Sequence, residues 1–208
     1  MGGWSVKRNF VFITLCLMMA ATFTSCKTMS QAEYQAMQQK AEQKEALARQ
    51  LSELKTAYES MQQSLKSEIE AQRVQLEQLS EREVKVTMPQ DVLFPSASIV
   101  IDQSGRKVLD KVAASLKQAP DTSIRIVGHT DLLPITRPEL KQRFTDNWEL
   151  SAARAAAVAR VFIWGENISD DRIHVVGRSH AEPVADNRTT EGRTKNRRIE
   201  IFLEQPVH

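Results

Sequence analysis

The chain has 208 residues, of which 26% are charged and 41% hydrophobic, so it is read as one soluble domain plus an extended element. Lys+Arg 28 stand against Asp+Glu 26, a net charge of +2 that carries no global bias toward nucleic acid or an acidic surface.

At the N-terminus, Lys7 and Arg8 precede a mostly apolar run from Asn9 to Thr24. That order matches the charged and apolar regions of a secretory signal, and the run is shorter than the roughly 20 residues a spanning helix needs. It ends in Phe23-Thr24-Ser25-Cys26, which resembles the lipobox of bacterial lipoproteins, where the Cys becomes the lipidated mature N-terminus. The expected organisation is therefore a signal peptide over 1–25 and an acyl anchor on Cys26, with an uncleaved membrane anchor as the alternative. Several acyl chains, at about 0.8 kcal/mol per buried methylene, anchor stably. Cleavage removes Cys16, Lys7 and Arg8, so the mature chain has no second cysteine for a disulfide and no net charge.

From Ser30 to about Arg82 there is neither Pro nor Gly, and Gln, Glu, Lys, Ala and Leu dominate. Leu47, Leu51, Leu54, Tyr58, Met61 and Leu65 follow the alternating spacing of a heptad seam. Ile69, Gln72, Leu76 and Leu79 continue it after a stutter. Residues 26–83 are thus predicted as one coiled-coil rod, on the order of 80 Å long. The seam predicts a homo-oligomer, although a single helix lying on a partner would show a similar stripe.

Met88-Pro89 ends the helical composition, and a globular domain is predicted over 84–208. Val84 to Phe94 contains a first strand. Gln103 to Gln118 is a helix, with Val108, Leu109, Val112 and Leu116 on one face. Ser123 to Val127 is a β-branched strand that emerges through Gly128-His129-Thr130 at Asp131. Two prolines in 132–146, Pro134 and Pro138, argue against a continuous helix and predict a loop over a pocket mouth. Asp146 and Glu149 have capping-box spacing and start a second long helix, whose stripe runs Leu150, Ala153, Ala157, Val161, Trp164. Strands over 172–177 and 197–203 complete an α/β sandwich, a mixed sheet with helices on one face.

Two charges stand out in this scheme. Asp131 sits at a strand end and Arg154 two turns into a helix, so together they could grip a zwitterion, carboxylate to ammonium and guanidinium to carboxylate. The alternative is a structural Asp–Arg pair pinning strand to helix.

Three ordered runs carry a family resemblance: Gly128-His129-Thr130-Asp131, Asn147-Trp148-Glu149-Leu150-Ser151-Ala152-Ala153-Arg154-Ala155, and Gly192-Arg193-Thr194-Lys195-Asn196-Arg197-Arg198-Ile199-Glu200-Ile201. They resemble the OmpA-like peptidoglycan-binding domain shared by OmpA, Pal and MotB, over roughly Val84 to Leu203. The resemblance implies an OmpA-like two-layer sandwich. It further implies that Asp131 and Arg154 hold the amino and carboxylate groups of the diaminopimelate side chain. Asn147, Leu150, Thr130 and Arg198 are placed in or beside the pocket on the same ground. The longer 132–146 segment and the Trp of the second run are most similar to the MotB branch.

Other chemistry finds little support. No HExxH or paired-Cys spacing accompanies His129, His174 and His180, so neither metal nor cofactor is expected. No nucleophile-elbow pattern surrounds Ser151, and no aromatics interleave with the basic Arg188, Arg193, Lys195, Arg197 and Arg198. Hydrolase and nucleic-acid readings both fall away. The sequence predicts a non-enzymatic lipoprotein of the outer membrane that ties the envelope to peptidoglycan. The alternative is a MotB-like stator, against which the apolar run carries no acidic residue for proton relay.

Overall fold

The computed structural model describes residues 30–205. The predicted signal peptide and Cys26 lie outside that span. Two compact units divide at Glu45. Up to that point the described residues are helical and exposed, Tyr34 at 49% and Met37 at 53%. Among the described residues no helix is long and apolar enough to cross a membrane.

The larger unit, Ala46–His208, carries the sheet and the site. Helix α1 (Gln31–Ser64) enters it, followed by the short α2 (Lys66–Glu70) and then β1 (Gln75–Ser80) and β2 (Glu83–Pro89). The single turn α3 (Gln90–Leu93) leads to α4 (Gln103–Leu116), β3 (Ser123–Gly128) and the turn α5 (Pro138–Lys141). Next come α6 (Asn147–Arg160), β4 (Ile173–Gly177), α7 (Thr190–Asn196) and β5 (Arg198–Glu204).

The five strands run in the order β1-β2-β5-β3-β4. Only β3 and β4 are parallel, so the sheet is mixed as expected. Alternation assigns its faces. Val84, Val86 and Met88 lie opposite Leu203, Ile201 and Ile199, and Ile124 and Ile126 continue that row on β3. All of these are buried under the helices. The other face carries Arg125, Arg198, Glu200 and Phe202, with the Arg125 guanidinium 3.9 Å from the Phe202 ring centre.

The predicted coiled-coil rod is corrected from Leu54 onward. Leu54, Ala57, Met61 and Leu65 belong to the same core cluster as the sheet, each at most 1% exposed. Hydrogen bonds from Ser115 Oγ to Ser60 Oγ (3.0 Å) and from Gln118 to the same oxygen (3.1 Å) fasten this part of α1 to the domain. Leu54, Met61 and Leu65 each contribute about 1.5–3 kcal/mol on burial, so this stretch of the seam is spent on its own domain. The helix also stops sooner than predicted. Gln72 adopts φ 57, the left-handed region that ends a helix, and Leu76 and Leu79 lie in β1 rather than in a heptad. The domain therefore starts at Ala46, not at Val84.

Candidate binding cleft

Two glycines set the spacing of the site. A Cβ on Gly128, the last residue of β3, would sit 2.2 Å from the Ser151 carbonyl oxygen, and one on Gly177 would sit 2.8 Å from the Ala152 nitrogen. Because both lack side chains, the second turn of α6 lies directly on the ends of the two parallel strands. Ser151 reinforces the join, its buried Oγ accepting from the Ser179 N–H at 3.1 Å. Asp146 caps the helix, accepting from the N–H groups of Trp148 (2.8 Å) and Glu149 (3.1 Å), while Glu149 reaches back to the Thr145 N–H at 2.6 Å. Capping by Asp146 was foreseen; the returning carboxylate lands one residue earlier than the capping box requires.

This join brings the end of β3 and the second turn of α6 to one cleft of about 450 Å³. Thr130, Asp131, Asn147, Leu150 and Arg154 all line it, as the sequence predicts. Leu133, Pro134, Ile135, Thr136, Arg137 and Leu140 supply a wall from the 132–146 segment, which contains the single turn α5. Asn147 ties that wall down, donating to the Leu133 carbonyl at 2.8 Å and to the Asp131 carbonyl at 3.4 Å.

Arg154 is only 4% exposed, yet among the described residues it makes no salt bridge. Its Nη1 donates to Gln90 Oε1 at 2.5 Å, and Nε and Nη2 to the Ser98 carbonyl at 3.4 Å. The Phe94 ring lies 5.8 Å away. Burial and, after it, the nearby positive charge of Arg197 pull its pKa down to about 10, and the Asp131 carboxylate opposes them only in part. A guanidinium so depressed is short of an anion.

Asp131 is not that anion. Its Oδ2 accepts from Arg197 Nη1 at 2.7 Å and its Oδ1 from the Leu133 N–H at 2.9 Å. The alternative of an Asp131–Arg154 pin is thereby set aside. The two groups share a cleft without forming a salt bridge to each other.

Arg198 stands apart from the expected site. It is 4% exposed on the outer face of the sheet, its Nε donating to Glu200 Oε1 at 2.8 Å and its other nitrogens to the carbonyls of Asn196 and Glu182. Arg197 lines the cleft in its place. Strand alternation explains the difference: Arg198 shares the face of Glu200 and Phe202, whereas Arg197 precedes the strand and bends toward Asp131. Gln90, Ser96 and Ala97 also line the cleft and were not anticipated. Ala97 holds φ 57, a left-handed conformation at the cleft wall.

Residues 93–197 match the model of the OmpA family, a span covering the cleft's lining from Ser96 to Arg197. The chain belongs to the OmpA family. Among its OmpA-family relatives, the probable lipoprotein YiaD of Escherichia coli is 36% identical over 118 residues, 57% of this chain and 50% of YiaD. The peptidoglycan-binding protein ArfA of Mycobacterium tuberculosis is 40% identical over 97 residues, 47% of this chain and 27% of ArfA. The cell wall anchor of the T6SS from Pseudomonas aeruginosa superposes with TM-score 0.63 at 34% identity, covering 70% of this chain and 97% of that structure. The matched region thus spans half the length of YiaD and about a quarter of ArfA.

Proposed function

We propose that this OmpA-family domain binds peptidoglycan in the Asp131–Arg154 cleft and, held by a lipid on Cys26, ties the outer membrane to the cell wall. The observation that carries the reading is Arg154: a buried guanidinium met only by neutral groups, facing a cleft whose single carboxylate belongs to Asp131. Such a site fits a ligand with an ammonium and a carboxylate on one carbon. In this reading the carboxylate takes the Arg154 fork and the ammonium joins Asp131, as at the free end of diaminopimelate in a stem peptide. Thr130, Asn147 and Leu150 shape the walls, and Arg197 steadies Asp131.

The names of the relatives point the same way, one a peptidoglycan-binding protein, one a cell wall anchor and one a probable lipoprotein. Binding per site is weak in this scheme. Many lipid-held copies facing one polymeric wall supply avidity without self-association.

Retention on purified sacculi tests the reading. The wild-type chain is expected to be retained and to be displaced by free diaminopimelate, and Asp131→Ala and Arg154→Ala each to lose retention while keeping the circular dichroism of the fold. Unchanged retention of both variants would overturn the cleft assignment. For the anchor, palmitate labelling is expected to disappear in Cys26→Ala, and an unlabelled wild-type chain would remove the lipid from the proposal.

A further inference from the structure

We infer that Gln90 is a specificity-determining residue: by holding Arg154 through a neutral amide, it keeps the guanidinium open to an ionised carboxylate and selects that group over its carboxamide. The inference rests on the peptidoglycan reading above and refines it to the chemical state of the ligand.

Gln90 is well placed for this role. It opens α3 directly after β2 ends at Pro89, and its N–H donates to the Arg197 carbonyl at 2.9 Å, which fixes it beside the start of β5. Its side-chain oxygen meets Arg154 Nη1 at 2.5 Å. It also lines an adjoining pocket of about 200 Å³ that shares Ser96, Ala97 and Arg197 with the cleft.

The groups around Arg154 are all neutral where they touch it. Gln90 offers one amide oxygen, Ser98 a carbonyl and Phe94 the face of a ring. The nearby charged groups are Arg197, which repels the guanidinium, and Asp131, which Arg197 already occupies. Gln90 therefore orients the fork without neutralising it. A carboxylate ligand supplies both the missing charge and two acceptor oxygens. A carboxamide supplies no charge and one acceptor, and its NH₂ group turns donors toward donors.

Glutamate is nearly the same size as glutamine, so Gln90→Glu would install in the chain the charge that the ligand is meant to bring. The variant would fill the site from within and raise stability rather than lower it. This separates loss of binding from loss of fold, which deletion of Arg154 or Asp131 does less cleanly.

The test is calorimetric titration of the full chain with two soluble muropeptides, one ending in diaminopimelate with its side-chain carboxylate free and one with that carboxylate amidated. For the wild type, the free form is expected to bind at least about tenfold tighter. In Gln90→Glu, affinity for the free form should fall at least about tenfold, the ratio between the two forms should collapse toward one, and the thermal midpoint should not fall. Gln90→Met removes the acceptor without adding charge; it should weaken both ligands and keep the preference. Equal binding of both forms by the wild type, or undiminished binding of the free form by Gln90→Glu, overturns the role of Gln90 alone. A wild-type chain that binds neither muropeptide overturns the peptidoglycan reading itself.

Discussion

Arg154 and Arg198 are buried to the same degree, each 4% exposed, and are provided for in opposite ways. Arg198 lies in a closed circuit on the outer face of the sheet. Its Nε donates to Glu200 Oε1 at 2.8 Å, and the second Glu200 oxygen meets His129 Nε2 at 3.2 Å. Arg154, one layer away at the strand ends, has an amide, a carbonyl and a ring. The contrast shows that burial of a charged residue does not mark function by itself. What marks it is burial without a counter-charge beside an open cavity, because the protein bears the cost of desolvation and leaves the compensation to something else.

The sharpest way to break this comparison is to remove each arginine in turn. Arg198→Ala strands the Glu200 carboxylate and is expected to cost about 3–5 kcal/mol in denaturant unfolding, with sacculus retention kept by whatever fraction stays folded. Acid probes the same circuit. Burial opposes ionisation of Glu200, yet hydrogen bonds from His129 and Arg198 outweigh it and hold the pKa at about 2. A carboxylate whose folded pKa is depressed contributes stability above its unfolded pKa and loses it as pH falls through the folded one. Unfolding free energy should therefore drop by on the order of 2–3 kcal/mol between about pH 4.5 and pH 2, and Glu200→Gln should flatten that part of the curve.

Smaller effects are expected around the cleft. Gly128→Ala drives a methyl into the Ser151 carbonyl and should destabilise by about 1–3 kcal/mol, measured by the same unfolding assay, while loosening the seat of α6. Arg154→Met keeps the packed stem and deletes an uncompensated charge. Its stability should stay within about 1 kcal/mol of wild type or rise, while wall retention vanishes. A large loss of stability here, matching that of Arg198→Ala, would erase the distinction between the two regions.

Much of the cleft could be read from residue order. A β-branched run ending at Asp131, an acidic cap at Asp146 and an arginine two turns later were enough to bring strand end and helix start together. The face of α6 was less legible. Leu150 and Val161 are buried as the stripe predicts, but Trp164 is 75% exposed. The turn Val161–Gly165 is a π-helix, and its wider winding carries the indole off the apolar row. Arg198 was misassigned although alternation with Ile199 and Ile201 already puts it on the outer face. Gln90 and Ala97 left no signal, since their importance comes from what the fold sets next to them.

The stretch from Leu65 to Leu79 misled for a different reason. Its leucines and isoleucine are spaced as a helix would space them, and no Gly or Pro interrupts the run. The chain turns at Gln72, a residue with no special taste for the left-handed region, so local propensity gave no warning. Packing made the decision. Leu76 in the edge strand and Val74 just before it gain a place against the core, which a continuing helix would have forfeited.

The burial of α1 has a mechanical consequence. If the chain is pulled from its N-terminal side by a membrane drifting from the wall, tension enters the domain through the helix carrying Leu54, Met61 and Leu65. That load must peel a row of buried side chains before it reaches the sheet, so the first thing strained is the packing of α1 rather than the Asp131–Arg154 cleft.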